Sequence, residues 1–142
     1  MKKIETLKNK KKFYDTKGWA KFENLFSNKE VNNIKKKINS FLKKNHKKYS
    51  GKYVNYTGND KNWKNINSFH KLHDFNFINN YSKKHKILDL VKMLIETKKT
   101  KLRAAELFAK PFKTGLKSPA HQDNFYFCLK KPKALTMWIA LE

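Results

Sequence analysis

The spacing of apolar residues changes near Lys101, and this change constrains the fold more than any other feature of the sequence. Before it, two stretches repeat apolar side chains every three or four residues, the period of a helix with one buried face. After it, apolar and aromatic residues fall in short runs separated by Pro and Gly, which is typical of strands. Helices followed by antiparallel strands, with no internal repeat, predict an α+β fold.

Two helices are predicted before this change. The first covers about 28–45, and its start carries a capping box, in which Ser27 is followed three residues later by Glu30. The second covers about 83–97, with Ser82 as its N-cap. The residues predicted to form the buried faces are Val31, Ile34, Ile38, Phe41 and Leu42 in the first helix and Ile87, Leu88, Val91, Leu94 and Ile95 in the second.

Strands are predicted in four places. One short strand covers 18–26, and three more cover 102–110, 120–128 and 134–141. Residues 1–17 are expected to be a basic N-terminal extension, whose first dozen residues are solvated and frayed. Residues 46–69 show no clear period and are expected to be irregular.

The formal net charge of +23 suggests a nucleic-acid partner, but its composition favours another explanation. Arg103 is the single arginine, so 33 of the 34 basic residues are lysines (34 − 1). Proteins that read base edges rely on the planar arginine fork, whereas lysine supplies only a point charge. The lysines also run evenly along the chain. We therefore expect no specific nucleic-acid partner.

The remaining composition narrows the class of protein. One cysteine excludes a disulfide framework, and no apolar run approaches the roughly 20 residues of a membrane span. We expect a soluble cytoplasmic protein of unknown oligomeric state.

The tripeptide His121-Gln122-Asp123 is the motif that carries chemistry. In an extended segment, residues i and i+2 point to the same side, so His121 and Asp123 could approach one metal ion together. These are two of the three ligands in the two-His, one-carboxylate triad of non-haem Fe(II) oxygenases. The other four histidines are expected at the surface: His46, His70, His73 and His85.

Around this motif the sequence resembles the phytanoyl-CoA dioxygenase family. The matching stretches are 106–111, 119–127 and 134–142, with looser likeness at 18–27 and 71–75. The resemblance implies that 18–142 are the N-terminal part of an iron- and 2-oxoglutarate-dependent oxygenase domain. It implies a double-stranded β-helix with N-terminal helices packed on it. The reaction implied is hydroxylation of a small organic or acyl substrate with molecular oxygen.

The resemblance also implies residue roles. His121 and Asp123 would be iron ligands, and a carboxylate at 123 favours hydroxylation over halogenation. Lys71, Glu106, Gln122 and Trp138 would contact the 2-oxoglutarate cosubstrate. Glu106 raises a physical difficulty, because an ionised carboxylate beside a dianion is unfavourable unless it is protonated or paired. Independently of the resemblance, Phe125 and Tyr126 are candidates for the substrate side, and strand alternation would place one of the two in the core.

The second iron-binding His and the 2-oxoglutarate-binding Arg expected of this family are not found after Trp138. The sequence therefore suggests an incomplete oxygenase that is inactive by itself. Two alternatives stay open. One is a catalytically inactive relic or interaction protein, and the other is a basic module that binds nucleic acid or an anionic surface.

Overall fold

The computed structural model describes residues 2–49, 51–109, 119–130 and 133–141. The helices in these ranges are α1 (Lys2–Lys17), α2 (Asn28–Asn45), α3 (Asn76–Ser82), α4 (His85–Ile95) and α5 (Asp123–Phe127). The strands are β1 (Val54–Tyr56), β2 (Ile66–Phe69) and β3 (Leu107–Phe108). The α+β class is therefore confirmed. The predicted order of helices before strands is wrong, because β1 and β2 lie between α2 and α3.

The described strands form one antiparallel sheet in the order β1-β2-β3. In β2, Ser68 lies opposite Asn55 of β1 and Phe108 of β3. The next residue, Phe69, is fully buried, so the two residues lie on opposite faces of the strand. The described ranges do not show the two facing sheets of a double-stranded β-helix.

Helix α2 covers one face of this sheet, and its predicted bounds of 28–45 are confirmed. The capping box is present, because Ser27 Oγ accepts from Glu30 N at 3.3 Å and the Glu30 carboxylate accepts from Ser27 N at 3.0 Å. The sheet and the helices share one core, whose buried members are Ile34, Ile38, Leu42, Val54, Ile66, Phe69, Leu72, Tyr81 and Ile87.

The N-terminal predictions are wrong in two respects. The described part of the basic extension is helix α1, not a frayed segment. The predicted strand over 18–26 is irregular chain and turn. Gly18 has φ 76° and donates its N–H to Tyr14 O at 2.8 Å, so it ends α1 in the left-handed conformation that glycine tolerates. Asn24, with φ 56°, then turns the chain again.

The second predicted helix is shorter than expected. Helix α4 begins at His85, and Ser82 belongs to the separate helix α3, where its hydroxyl donates to Asn79 O at 2.7 Å instead of capping α4. The left-handed Glu96, with φ 49°, ends α4 before residue 97.

The strands predicted after Lys101 are largely wrong. Of 102–109, only Leu107 and Phe108 pair with β2, and residue 110 lies outside the described residues. Residues 123–127 of the predicted strand 120–128 form helix α5 instead. Residues 134–141 form neither helix nor strand, since they join no ladder of backbone hydrogen bonds with the described strands.

His46 is buried, with 4% of its surface exposed, so its predicted surface position is wrong. Its Nδ1 lies 2.8 Å from Tyr56 Oη, and burial lowers the pKa of His46. In the part of the chain that the structure describes, no helix is both long enough and apolar enough to cross a membrane.

Candidate functional site

His121 lies just before helix α5, and a backbone hydrogen bond to one ring nitrogen holds its ring in place. Its Nδ1 donates to the carbonyl oxygen of Pro119 at 2.8 Å. With the proton on Nδ1, the lone pair of the neutral ring is on Nε2, the atom that faces Asp123. This arrangement is typical of metal-binding histidines, whose second nitrogen is held by a backbone carbonyl or a carboxylate.

Asp123 is the first residue of α5, and its carboxylate is shared between two partners. Oδ1 lies 3.3 Å from His121 Nε2, and Oδ2 accepts a hydrogen bond from the Thr136 hydroxyl. The side chains of His121 and Asp123 are 43% and 42% exposed, so an ion from solvent can reach both. The sequence predicted that these two residues meet, and the structure brings them together.

The spacing of the two atoms fits one shared metal ion. Metal–nitrogen and metal–oxygen bonds of about 2.1 Å, at right angles or slightly wider, place the two donor atoms about 3.0–3.4 Å apart. An imidazole nitrogen with a carboxylate oxygen is a donor set that iron accepts. Within the described ranges no third His, Cys, Asp or Glu joins them in a cluster.

Trp138 is 75% exposed, and its ring stacks on Phe108 of β3 with 5.5 Å between ring centroids. Thr136, two residues earlier, holds Asp123. Met137 between them packs against the core. Residues 136–138 therefore connect the candidate ligand pair to the sheet through their side chains.

Glu106 and Lys71 lie on neighbouring segments, joined by a hydrogen bond from Leu72 N to Ala105 O at 3.0 Å. Their charged groups have different partners. Glu106 Oε2 lies 3.1 Å from His70 Nδ1, and the Lys71 ammonium lies 5.0 Å from the centre of the Tyr53 ring. The Gln122 side chain is exposed. Its backbone carbonyl oxygen accepts a hydrogen bond from Phe125 N at 3.1 Å.

Phe125 and Tyr126 both lie on the solvent side of α5, with 80% and 62% of their surfaces exposed. Strand alternation would have buried one of them. In a single helical turn both rings remain outside, and Tyr126 packs its edge against the His121 ring at 5.7 Å.

The family model for phytanoyl-CoA dioxygenase matches residues 14–142. The chain belongs to the phytanoyl-CoA dioxygenase family. No curated protein and no solved structure matches it significantly. Because family members are generally dependent on Fe(II) and 2-oxoglutarate, the family supports an oxygenase as the class of protein.

For a member of the phytanoyl-CoA dioxygenase family, the structure adds residues that sequence reasoning missed. Thr136 supports Asp123, and His70 binds Glu106. Ser68 and Asn55, side by side on β2 and β1, extend the contacts of His70 into the sheet. One signal was present in the sequence, because Ser68 and His70 are two residues apart and would share one face of a strand.

Proposed function

We propose that residues 18–142 form an Fe(II)- and 2-oxoglutarate-dependent oxygenase domain that hydroxylates a small organic or acyl substrate. The observation that carries this proposal is the 3.3 Å approach of His121 Nε2 to Asp123 Oδ1, with the remote nitrogen of His121 held by Pro119 O. A double-stranded β-helix, implied by the family, is part of the proposal.

His121 and Asp123 would hold the iron from one side. When bound, iron with 2-oxoglutarate and oxygen supplies the oxidising power to hydroxylate a C–H bond. Pro119 O keeps the His121 lone pair directed outward, and Thr136 fixes the Asp123 carboxylate so that Oδ1 remains available.

Lys71, Glu106, Gln122 and Trp138 are proposed to form the cosubstrate side. A lysine cation suits a dianionic cosubstrate, and the exposed Trp138 ring offers a flat apolar surface beside it. The exposed rings of Phe125 and Tyr126 would contact the body of the substrate.

The proposal is tested by Fe(II) binding to the full chain under nitrogen, followed by 2-oxoglutarate binding to the Fe(II)-loaded chain. We expect His121→Gln and Asp123→Asn each to weaken Fe(II) binding by about tenfold or more, since each removes a direct donor. His85→Gln and Asp89→Asn, at exposed positions of α4, are matched controls that should bind Fe(II) normally.

Wild-type protein that binds no Fe(II), or binds it equally well after both site substitutions, would overturn the proposal. In that event an inactive relic or interaction protein would become the better description. Fe(II) binding without 2-oxoglutarate binding would refute the use of this cosubstrate but retain the metal site.

A further inference from the structure

A series of polar side chains crosses the sheet and ends on Glu106. Asn55 Nδ2 on β1 donates to Ser68 Oγ on β2 at 2.8 Å. Ser68 Oγ lies 3.1 Å from His70 Nε2, and His70 Nδ1 lies 3.1 Å from Glu106 Oε2. Four residues from three segments therefore share one hydrogen-bonded series.

Burial fixes the direction of this series. Ser68 is 4% exposed, so its hydroxyl proton needs an acceptor, and His70 Nε2 is the acceptor within reach. An Nε2 that accepts a hydrogen bond leaves the ring proton of the neutral histidine on Nδ1, which donates it in a hydrogen bond to the Glu106 carboxylate. Every hydrogen bond in the series thus points toward Glu106.

The series ends near the segments that carry Lys71 and Trp138, two residues proposed to contact the cosubstrate. Phe108 follows Glu106 by two residues, and its ring contacts both His70, at 5.7 Å, and Trp138, at 5.5 Å. The backbone beside Glu106 is bonded to the segment that carries Lys71. Glu106 is therefore on a segment that contacts the segments of two residues proposed to bind a dianion, and an unpaired carboxylate there would repel the dianion.

The same residue types, Ser, His and Glu, form nucleophilic triads in hydrolases. Here the buried Ser68 hydroxyl cannot reach a substrate, since 4% of the residue is exposed. The effect of this hydrogen-bonded series is therefore on the Glu106 carboxylate, at its other end.

We propose that His70 is a positioning residue, which holds the Glu106 carboxylate against the sheet and so lets an anionic cosubstrate bind beside it. This inference rests on the proposed function. It answers the electrostatic difficulty that Glu106 presents, because a carboxylate paired with a donor repels the neighbouring dianion less than an unpaired one.

The test is a double-mutant cycle, measured as the affinity of the Fe(II)-loaded full chain for 2-oxoglutarate under nitrogen. His70→Leu removes both hydrogen bonds and should weaken 2-oxoglutarate binding about three- to fivefold, the size of a partly exposed charge interaction. In a Glu106→Gln background the same substitution should have almost no effect, because no charge remains to be held.

Two further variants separate positioning from general damage. His70→Asn places an amide nitrogen near the position of Nδ1 and should restore most of the affinity. His85→Leu, on the exposed start of α4, should leave the affinity unchanged. Fe(II) affinity should be the same in all variants, because none of the contacts within the described residues joins His70 directly to His121 or Asp123.

Equal losses from His70→Leu in both backgrounds would overturn the inference while leaving the proposed function intact. A loss that His70→Asn does not reverse would overturn it too. Wild-type protein that binds Fe(II) but no 2-oxoglutarate would instead remove the proposed function, and this inference with it.

Discussion

At the scale of single residues, Asp123 shows how the candidate site is organised. Its Oδ1 faces His121, while its Oδ2 accepts a hydrogen bond from the Thr136 hydroxyl, so the two oxygens have different partners. A carboxylate free to rotate would present either oxygen, and its orientation would have to be fixed when an ion binds. Thr136 removes that freedom beforehand.

Thr136→Val should therefore weaken Fe(II) binding by about tenfold, because valine keeps the shape and removes the hydroxyl that orients the carboxylate. The measurement is an Fe(II) titration under nitrogen. Thr136→Ser keeps the hydroxyl and should bind nearly as well as wild type. Equal binding by Thr136→Val and wild type would show that the hydrogen bond does not orient a ligand.

At the scale of elements, Glu30 joins three helices. Its carboxylate closes the capping box of α2, lies 2.6 Å from Lys86 Nζ on α4, and accepts from Tyr81 Oη on α3 at 3.3 Å. The bond with Lys86, followed by the bond from the Ser27 backbone, lowers the pKa of Glu30 from 4.5 to about 2. The ionised carboxylate therefore stabilises the folded state.

This shift gives a pH prediction. Because the folded pKa lies below the unfolded one, the stabilisation is fully present above about pH 4.5 and is lost as the pH falls toward 2. Glu30→Gln should be less stable than wild type at pH 6, and the difference should shrink through this window. Urea unfolding between pH 2 and 6 measures it.

Asp89→Asn, at an exposed position on α4, is the control and should follow the wild-type pH dependence. A stability difference between Glu30→Gln and wild type that stays constant from pH 6 to pH 2 would contradict the assignment.

The elements also show what local sequence can predict. Helix α2 was predicted with its correct bounds, because Ser27, Glu30 and the apolar period all lie within its own residues. The strand predicted at 120–128 was wrong, because the aromatic residues there favour strands but have no described strand beside them to pair with. Strands β1 and β2 were missed, since three or four residues are too few to show a period.

The candidate site also contains one pair of residues that the sequence predicted and one pair that it did not. His121 and Asp123 do meet as predicted, but His121 lies just before helix α5 and Asp123 begins it, instead of both lying on one side of a strand. His70 and Glu106 are 36 positions apart in sequence (106 − 70), and only the antiparallel pairing of β2 with β3 brings them together. No local pattern predicts such a pair.

At the scale of the whole molecule, one core serves the sheet and the helices, and Phe69 lies at its centre with none of its surface exposed. It contacts Tyr49 at 4.8 Å and Phe41 at 6.0 Å between ring centroids. Helix α2, the chain that follows it and the central strand thus depend on one side chain.

Phe69→Ala should lower the free energy of unfolding by about 3–5 kcal/mol, which is a large part of the roughly 5–15 kcal/mol of a typical domain. Phe125→Ala makes the same change at a position that is 80% exposed and should alter stability by less than about 0.5 kcal/mol. Urea unfolding at pH 7 compares them. Similar losses in both variants would mean that Phe69 is not central to the core.

The run 133–141 has a consequence for how the molecule would respond to metal. Thr136 reaches Asp123, while Met137 and Leu141 pack on the core and Trp138 covers Phe108. When this segment packs on the core, it therefore also orients the Asp123 carboxylate. By thermodynamic linkage, an ion that prefers the oriented carboxylate must also favour the docked run. The stability of the core and the affinity of the metal site would then be coupled through a segment that belongs to neither helix nor strand.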